Sequence, residues 1–390
     1  MEGLTLLSPL NGESLQRVSD YLLDDGEQLW PYVDGIVYLR PKETLRASAV
    51  AAIQAADLRE ARLLLLADQD DFSPTAPPSR AALNELLDAS DALTLRDAMQ
   101  LLNYGPVSEY FAYRWCSPTF SSGLRLLELG VQSGQPVVEY ACGIGHFLRE
   151  LQLLGIANVG IDIVYSKLWL ARKFLEVAGP LICGDIERSG VVALPGPATV
   201  FCHDAFYFFG HKQAALTNMR RVAGREGRVA VGHVHTDHDA HGAGHSLPVS
   251  DYRELTEAEI WEDAALADSF RQQSNATLVR ARESAAAVAW LEGQWAGPQV
   301  LRFDRFHPAL RLNPLIGPQA VRWPSDGWKA EFVRDTQPLQ AAVEEQLRQA
   351  EVRSLVGTLD AGTEVTSALT PGEGRLLVSQ GILLNLPRRW

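Results

Sequence analysis

The residues with the clearest capacity for chemistry lie in Val137-Val-Glu-Tyr-Ala-Cys-Gly-Ile-Gly-His-Phe147. An acid, Glu139, ends a β-prone run, and a turn of small residues (Ala141, Cys142, Gly143, Gly145) leads straight into helical sequence. Small residues let a ligand approach the backbone, and a helix N-terminus presents unpaired N–H groups. Seventeen residues past Gly145, Val159-Gly-Ile-Asp162 places a second acid at the end of a second β-prone run. In nucleotide-binding sheets such an acid accepts hydrogen bonds from ribose hydroxyls. A third acid follows in Cys183-Gly-Asp-Ile-Glu187, where Asp185 could meet an adenine amino group while Ile186 packs on the ring. Each signal is weak alone. Three acids in order, each at the carboxyl end of a predicted strand, are specific.

This order resembles the class I S-adenosylmethionine-dependent methyltransferases, whose first motif is commonly (D/E)-x-G-x-G-x-G. Glu139, Ala141, Gly143 and Gly145 match it, with Ala141 in place of the first glycine. The resemblance covers about 100 of the 390 residues. It implies S-adenosyl-L-methionine as cofactor, with Glu139 toward the methionine part and Ala141, Gly143 and Gly145 beneath it. Asp162 would serve the ribose, Asp185 and Ile186 the adenine, Ile163 would also contact the cofactor, and Asp204 would border it within the fourth motif, Phe201-Cys-His-Asp-Ala-Phe-Tyr207. The implied activity is O- or N-methylation of a small molecule. A dinucleotide fingerprint would need a third glycine where Leu148 stands, and Glu139 would repel a pyrophosphate. The alternative is a catalytically inactive protein that keeps the fold to bind a partner.

A second unusual segment is His233-Val-His-Thr-Asp-His-Asp-Ala-His-Gly-Ala-Gly-His245, which holds five of the nine histidines. Three readings stand side by side. His233 and His235 share one face of a strand, so His238 or His241 could close a metal site around them. The segment could instead be a catalytic loop, since a neutral histidine is a suitable general base. It could also be a solvated loop. Gly242 and Gly244 suit a mobile lid better than a rigid cage, so no metal is expected. His233, His235 and His203, the last at the end of the fourth predicted strand, are the catalytic candidates. His146 reads as structural or as a cofactor-edge contact, and Cys142 and Cys202 as small buried hydrophobes.

The elements that must hold these residues fall into three regions: an N-terminal accessory region (1–134), a nucleotide-binding core (135–245) and a C-terminal accessory region (246–390). The core alternates strand and helix: strands at 137–140, 158–163, 181–183, 198–203 and 228–234, with helices at 146–154, 166–177 and 212–222. That alternation predicts an α/β, Rossmann-like core, a mostly parallel sheet with helices on both faces. The first region carries a tight-turn signal at Asp34-Gly35, helical stretches Thr44–Leu66 and Pro78–Met99 around a loop Asp68–Pro78, and an aromatic cluster from Tyr104 to Phe120 that reads as packed interface. Tyr32–Pro41 is similar to the end of the zinc-ribbon modules that precede some methyltransferases, without their paired cysteines. The third region predicts helices at 257–269 and 339–356, a Trp- and Pro-rich stretch (311–328), and strands over the last 30 residues.

Composition narrows the partners. Hydrophobic residues make up 46% and charged residues 21%, as in a folded globular protein, and the net charge of −13 disfavours nucleic acid. Four scattered cysteines indicate neither a zinc ribbon nor a disulfide framework. No apolar run approaches the roughly 18–20 residues of a membrane span. The opening MEGLTLLSPLNGESL has no basic n-region and no apolar core, so it reads as no signal peptide. The expected partner is a small-molecule methyl acceptor, with no nucleic acid and no membrane, a cytoplasmic location, and a homodimer left open.

Overall fold

A computed structural model describes residues 3–70, 72–187, 190–238, 244–273, 278–293, 301–303, 310–315, 324–326, 364–365 and 371–390. The N-terminal region begins with short strands β1 (Thr5–Leu6), β2 (Gln16–Arg17), β3 (Leu22–Asp24), β4 (Leu29–Val33) and β5 (Ile36–Tyr38). β2 to β5 form an antiparallel meander. Asp34 and Gly35 turn β4 into β5 with φ of 54° and 74°, the paired positive values that a two-residue hairpin requires. The helix expected over Thr44–Leu66 is two helices, α1 (Glu43–Gln54) and α2 (Leu58–Leu66). Ala56 turns left-handed (φ 61°) between them, and the Asp57 side chain caps α2 by accepting the Glu60 N–H. The stretch Pro78–Met99 also divides, into α3 (Arg80–Ala89) and α4 (Leu95–Leu101), the latter opened by a Thr94–Asp97 capping box. Two further helices, α5 (Val107–Tyr113) and α6 (Pro118–Gly130), carry the aromatic cluster onto the core.

The core follows as β6 (Val137–Tyr140), α7 (His146–Leu153), β7 (Asn158–Asp162), α8 (Tyr165–Lys173), β8 (Leu181–Cys183), β9 (Val192–Ala193), β10 (Thr199–His203), α9 (Lys212–Ala223) and β11 (Arg228–His235). β9, which no sequence signal marked, pairs with β1. Beyond it come α10 (Val249–Leu255), β12 (Ile260–Glu262), α11 (Asp263–Arg271) and β13 (Ala287–Glu292). The helix expected at 257–269 therefore starts only at Asp263. Ile260 and Trp261 before it pair with Trp290 and Ala289 as strand, because an aromatic and a β-branched residue fit a half-buried sheet edge.

One sheet has the order β12-β13-β11-β10-β6-β7-β8-β5-β4-β3-β2. From β5 to β11 its neighbours run parallel, while β13 runs antiparallel to β11. Strands from both sides of residues 135 and 245 thus join the core sheet. The chain moves outward from β6 through β7 and β8, then returns to β10 on the other side of β6. That reversal falls at the carboxyl ends of β6 and β10, the place where open α/β sheets form their ligand crevice.

Side chains alternate across the sheet. Val138 and Tyr140 pack with Leu216 and Met219 of α9 on one face, and Val137 joins Leu126, Leu148 and Leu168 on the other. The C-terminal chain adds β14 (Leu310–Leu312), β15 (Glu364–Val365), α12 (Pro371–Ser379) and β16 (Leu383–Leu384), with sheet order β15-β14-β16. The last 30 residues hold a helix as well as the expected strands. Arg149 of α7 clamps this tail by donating to the carbonyls of Asn385 (2.7 Å) and Leu386 (3.2 Å). The helix expected at 339–356, and Trp323 and Trp328, lie outside the described residues. Among those described, no helix is long and apolar enough to cross a membrane, and all four cysteines are free and buried.

The fit of α7 onto the sheet depends on Gly160. A Cβ there would stand 2.4 Å from Leu148 Cδ1 and 2.9 Å from Leu181 Cδ2. Gly160→Val should destabilise the fold by about 1–3 kcal/mol, the cost of overpacking. Urea unfolding measures it, and an unchanged midpoint would contradict this packing.

Candidate active site

The turn after β6 alternates left-handed residues: Ala141 (φ 54°), Gly143 (φ 55°) and Gly145 (φ 83°). Ala141 holds that conformation at a cost of about 1–2 kcal/mol for a residue with a Cβ. The next β-strand acid locks the turn. Asp162 accepts the Gly143 N–H on Oδ2 and the Val164 N–H on Oδ1, both at 2.8 Å. Lys167 stands 3.8 Å from Asp162 and 3.6 Å from Asp70, adding a cation to the same corner. Phe111 of α5 faces Gly143, with one ring carbon 3.2 Å from where a Cβ would sit.

Glu139 is buried beneath this turn. Burial raises its carboxyl well above the usual range, opposed by the nearby Arg114 charge and by the Leu148 N–H at the start of α7. Its Oε2 has no hydrogen-bond partner among the described residues. A buried acceptor without a partner costs about 1–3 kcal/mol. A cationic donor reaching it would remove that cost. At the next strand end, Asp185 Oδ1 accepts the Glu187 N–H (3.1 Å), Ile186 is buried, and Ile163 is half-buried after β7.

Asp204, directly after β10, is the most connected acid of the site. Its Oδ2 accepts from Tyr110 Oη (2.5 Å) and from Arg114 Nη1, and its Oδ1 from Tyr207 Oη (3.2 Å). Burial pushes its carboxyl up, but Arg114, His233 and His235 together hold it well below the ordinary carboxylate range. The histidines separate into two kinds. His203 is buried, and burial pushes it down to about 3, so it is neutral. Arg114 Nη2 has only protons to give, so it donates to His203 Nδ1 (3.2 Å), and Nε2–H points to Ser122 Oγ (3.2 Å). With its lone pair engaged, His203 has no vacant acceptor for an incoming proton.

His233 is set differently. Its backbone N–H and Nδ1–H donate to the two oxygens of Asp263, at 3.0 and 2.7 Å. Burial lowers its affinity for a proton, but Asp263 and Asp204 outweigh that and raise it above the ordinary value. Its Nε2 and that of His235 lie 3.9 and 3.6 Å from Asp204 Oδ1. One ligand-type atom from each of the three residues falls within 4.8 Å of the others. His238, by contrast, is exposed, and His241 and Gly242 lie outside the described residues. The end of the segment is anchored: Lys212 Nζ donates to the His245 carbonyl (2.6 Å), and the His245 N–H to the Tyr207 carbonyl (2.7 Å).

The crevice thus gathers Glu139, the 141–145 turn, Asp162, Asp204, His233 and His235. Arg114 and Asp263 were not singled out in the sequence. Each is far along the chain from its partner, with no motif around it. Tyr110 and Tyr207 lay within noted aromatic segments, but nothing there marked their hydroxyls.

His146 opens α7 and bonds through Nε2 to the Phe111 carbonyl (2.9 Å), tying α5 to the turn. Burial pushes it down to about 3. The native state therefore keeps it neutral below pH 6.5, while the unfolded chain takes up a proton, so its contribution to stability falls on acidification. In His146→Gln that fall is absent. Between pH 6.5 and 5 the stability gap between the wild type and this variant should shift against the wild type by about 1.7 kcal/mol in all, the slope rising toward about 1.4 kcal/mol per pH unit as the unfolded imidazole becomes fully protonated. A pH-independent gap in urea unfolding would contradict a buried neutral His146.

Residues 138–231 match the family model described as a methyltransferase domain. Over 107 residues the chain is 28% identical to cycloartenol-C-24-methyltransferase 1 of Oryza sativa subsp. japonica, covering 26% of this chain. The chain spans only 30% of the length of that relative. Among solved structures, a TehB-like S-adenosylmethionine-dependent methyltransferase from Corynebacterium glutamicum aligns at 18% identity, covering 48% of this chain and 97% of the other with a TM-score of 0.35. Phosphoethanolamine N-methyltransferase 2 of Haemonchus contortus, solved with S-adenosylhomocysteine, aligns at 14% identity over 52% of this chain and 61% of its own, with a TM-score of 0.34. With the glycine turn, the strand-end acids and the sheet order in place, the segment 138–231 is a class I S-adenosylmethionine-dependent methyltransferase domain.

Proposed function

We propose that the protein transfers a methyl group from S-adenosylmethionine to an oxygen or nitrogen of a small molecule. The carrying observation is the set of acids at the carboxyl ends of adjacent strands, Glu139, Asp162 and Asp185, beside the point where the sheet reverses. The residues suit the cofactor. The unpartnered Glu139 Oε2 would accept from an ammonium, and glycine at 143 and 145 keeps those two positions of the turn free of side chains. Asp162 and Ile163 would take the ribose, and Asp185 and Ile186 the adenine. When bound, the cofactor supplies an electrophilic methyl on a sulfonium.

The remaining work belongs to the chain. Asp204, fixed by Arg114, Tyr110 and Tyr207, borders the crevice with its orientation set by donors from two regions. His203 acts as a positioning residue, since its Nδ1 lone pair is taken by Arg114. His233 and His235 face the crevice. Of these, His233 carries the Asp263 carboxylate behind it, the arrangement that orients an imidazole and steadies its charged form, so it is the preferred proton acceptor. Acceleration would come chiefly from holding acceptor and methyl donor in line. The N-terminal region (1–134) and the C-terminal region (246–390) would supply the acceptor walls, and the net charge of −13 favours a small acceptor over nucleic acid.

Calorimetric titration of the dialysed protein with S-adenosylhomocysteine, with NAD as control, tests the reading. Binding of S-adenosylhomocysteine alone is expected, weakened in Asp162→Ala by about 1–3 kcal/mol, the scale of a lost charge-assisted hydrogen bond. Equal affinity in wild type and variant would remove Asp162 from the cofactor site, and binding of NAD instead would replace the reading.

A further inference from the structure

We propose that Asp204, His233 and His235 bind a divalent first-row transition-metal ion at the crevice. The site itself stands on geometry, and only the ion's place beside a methyl acceptor rests on the proposed function. Side chains bound at about 2.0–2.2 Å to one ion stand roughly 3–3.5 Å apart around it. The two Nε2 atoms lie 3.9 and 3.6 Å from Asp204 Oδ1, within a few tenths of an ångström of that spacing, and the three ligand atoms all lie within 4.8 Å of one another, so a modest inward movement of the side chains would seat an ion among them. All three residues are largely buried, His233 and His235 at 7% exposure each.

The surroundings are those of a ligand set. His233 donates Nδ1–H to Asp263 at 2.7 Å, which fixes the ring and turns its Nε2 toward Asp204. A carboxylate behind a ligating imidazole is the usual way a protein orients it. Asp204 has its Oδ2 engaged by Tyr110 and Arg114, which leaves Oδ1, where Tyr207 Oη also donates at 3.2 Å, on the side of the histidines. The backbone is bent to the same end. Asp204 (φ 56°) and His233 (φ 46°) are both left-handed, and the pairing of β11 with β13 slips between Val231 and Val234 at the histidine. Such strained non-glycine positions and bulges re-aim side chains.

Two imidazoles and one carboxylate select zinc, iron, cobalt or manganese over magnesium or calcium, which prefer oxygen ligands throughout. Three protein ligands also leave coordination positions open, so the ion would take an oxygen donor from an acceptor bearing a hydroxyl or carboxylate; with its Nε2 on the ion His233 could not also take the proton, and the ion would instead make that oxygen more acidic. The third ligand is Asp204, directly after the neighbouring strand β10, in the place that the metal reading of the sequence gave to His238 or His241.

Cobalt(II) titrated into the chelator-treated full chain, followed by visible absorption, tests the site. One equivalent should bind, with the bands of a four- or five-coordinate ion. His235→Ala and Asp204→Asn should abolish the signal, Asp263→Asn should weaken binding about 10–100-fold as loss of an orienting partner does, and His238→Ala should leave it intact. S-adenosylhomocysteine binding, measured on each variant, reports whether the crevice is still folded. A wild type that binds no cobalt, or a His235→Ala variant that binds it as the wild type does, overturns the proposal, as does loss of binding in His238→Ala. If Asp204→Asn also fails to bind S-adenosylhomocysteine, His235→Ala decides alone. Cobalt binding by a wild type that binds no S-adenosylhomocysteine would leave the metal site standing and remove the methyltransferase reading.

Discussion

The buried carboxylate of Asp204 is the interaction on which the crevice depends. It draws Arg114 and Tyr110 from the N-terminal region, Tyr207 from beyond β10, and His233 and His235 from β11 to one point at the end of the sheet. Removing one partner of such a buried pair strands the other charge, at a typical cost of 3–5 kcal/mol. Arg114 is therefore also the link that places α5 and α6 against the strand ends. From Arg114 the network continues to His203 and Ser122, and from His233 to Asp263 on α11. Elements from three regions of the chain are bound into one polar cluster.

Carboxylates also explain how the strained turns persist. Ala141, Asp204 and His233 adopt positive φ without being glycine. Each is held by neighbours that leave no alternative: the turn by Asp162 through the Gly143 N–H, Asp204 by its three donors, and His233 by both oxygens of Asp263. Strain of this kind collects where a ligand must be met at a set angle.

The core was legible because its signals are local. The strands at 137–140 and 181–183 begin and end where the apolar runs predict, and α7 begins at His146 after the glycine turn. The alternation of strand and helix is enough to place three acids at three strand ends. The flanks were less legible because their structure is set by contacts distant in sequence. Ile36 pairs with Leu181 and Thr5 with Ala193, so the meander reads as an isolated hairpin until its partner strands are known. The breaks between α1 and α2 and between α3 and α4 rest on single capping residues, Asp57 and Thr94, within sequence that is otherwise helix-forming. In the crevice, the period of a strand puts His233 and His235 on one face, but it does not disclose Asp204 opposite them, Asp263 behind them or the bulge that turns them.

A crystal structure of the protein with S-adenosylhomocysteine would show whether the strand-end acids hold the cofactor. The ligand is expected at the carboxyl ends of β6 and β7, its ammonium hydrogen-bonded to Glu139 and its ribose hydroxyls to Asp162. Density for the ligand elsewhere, or in the crevice without contact to either carboxylate, would contradict that placement.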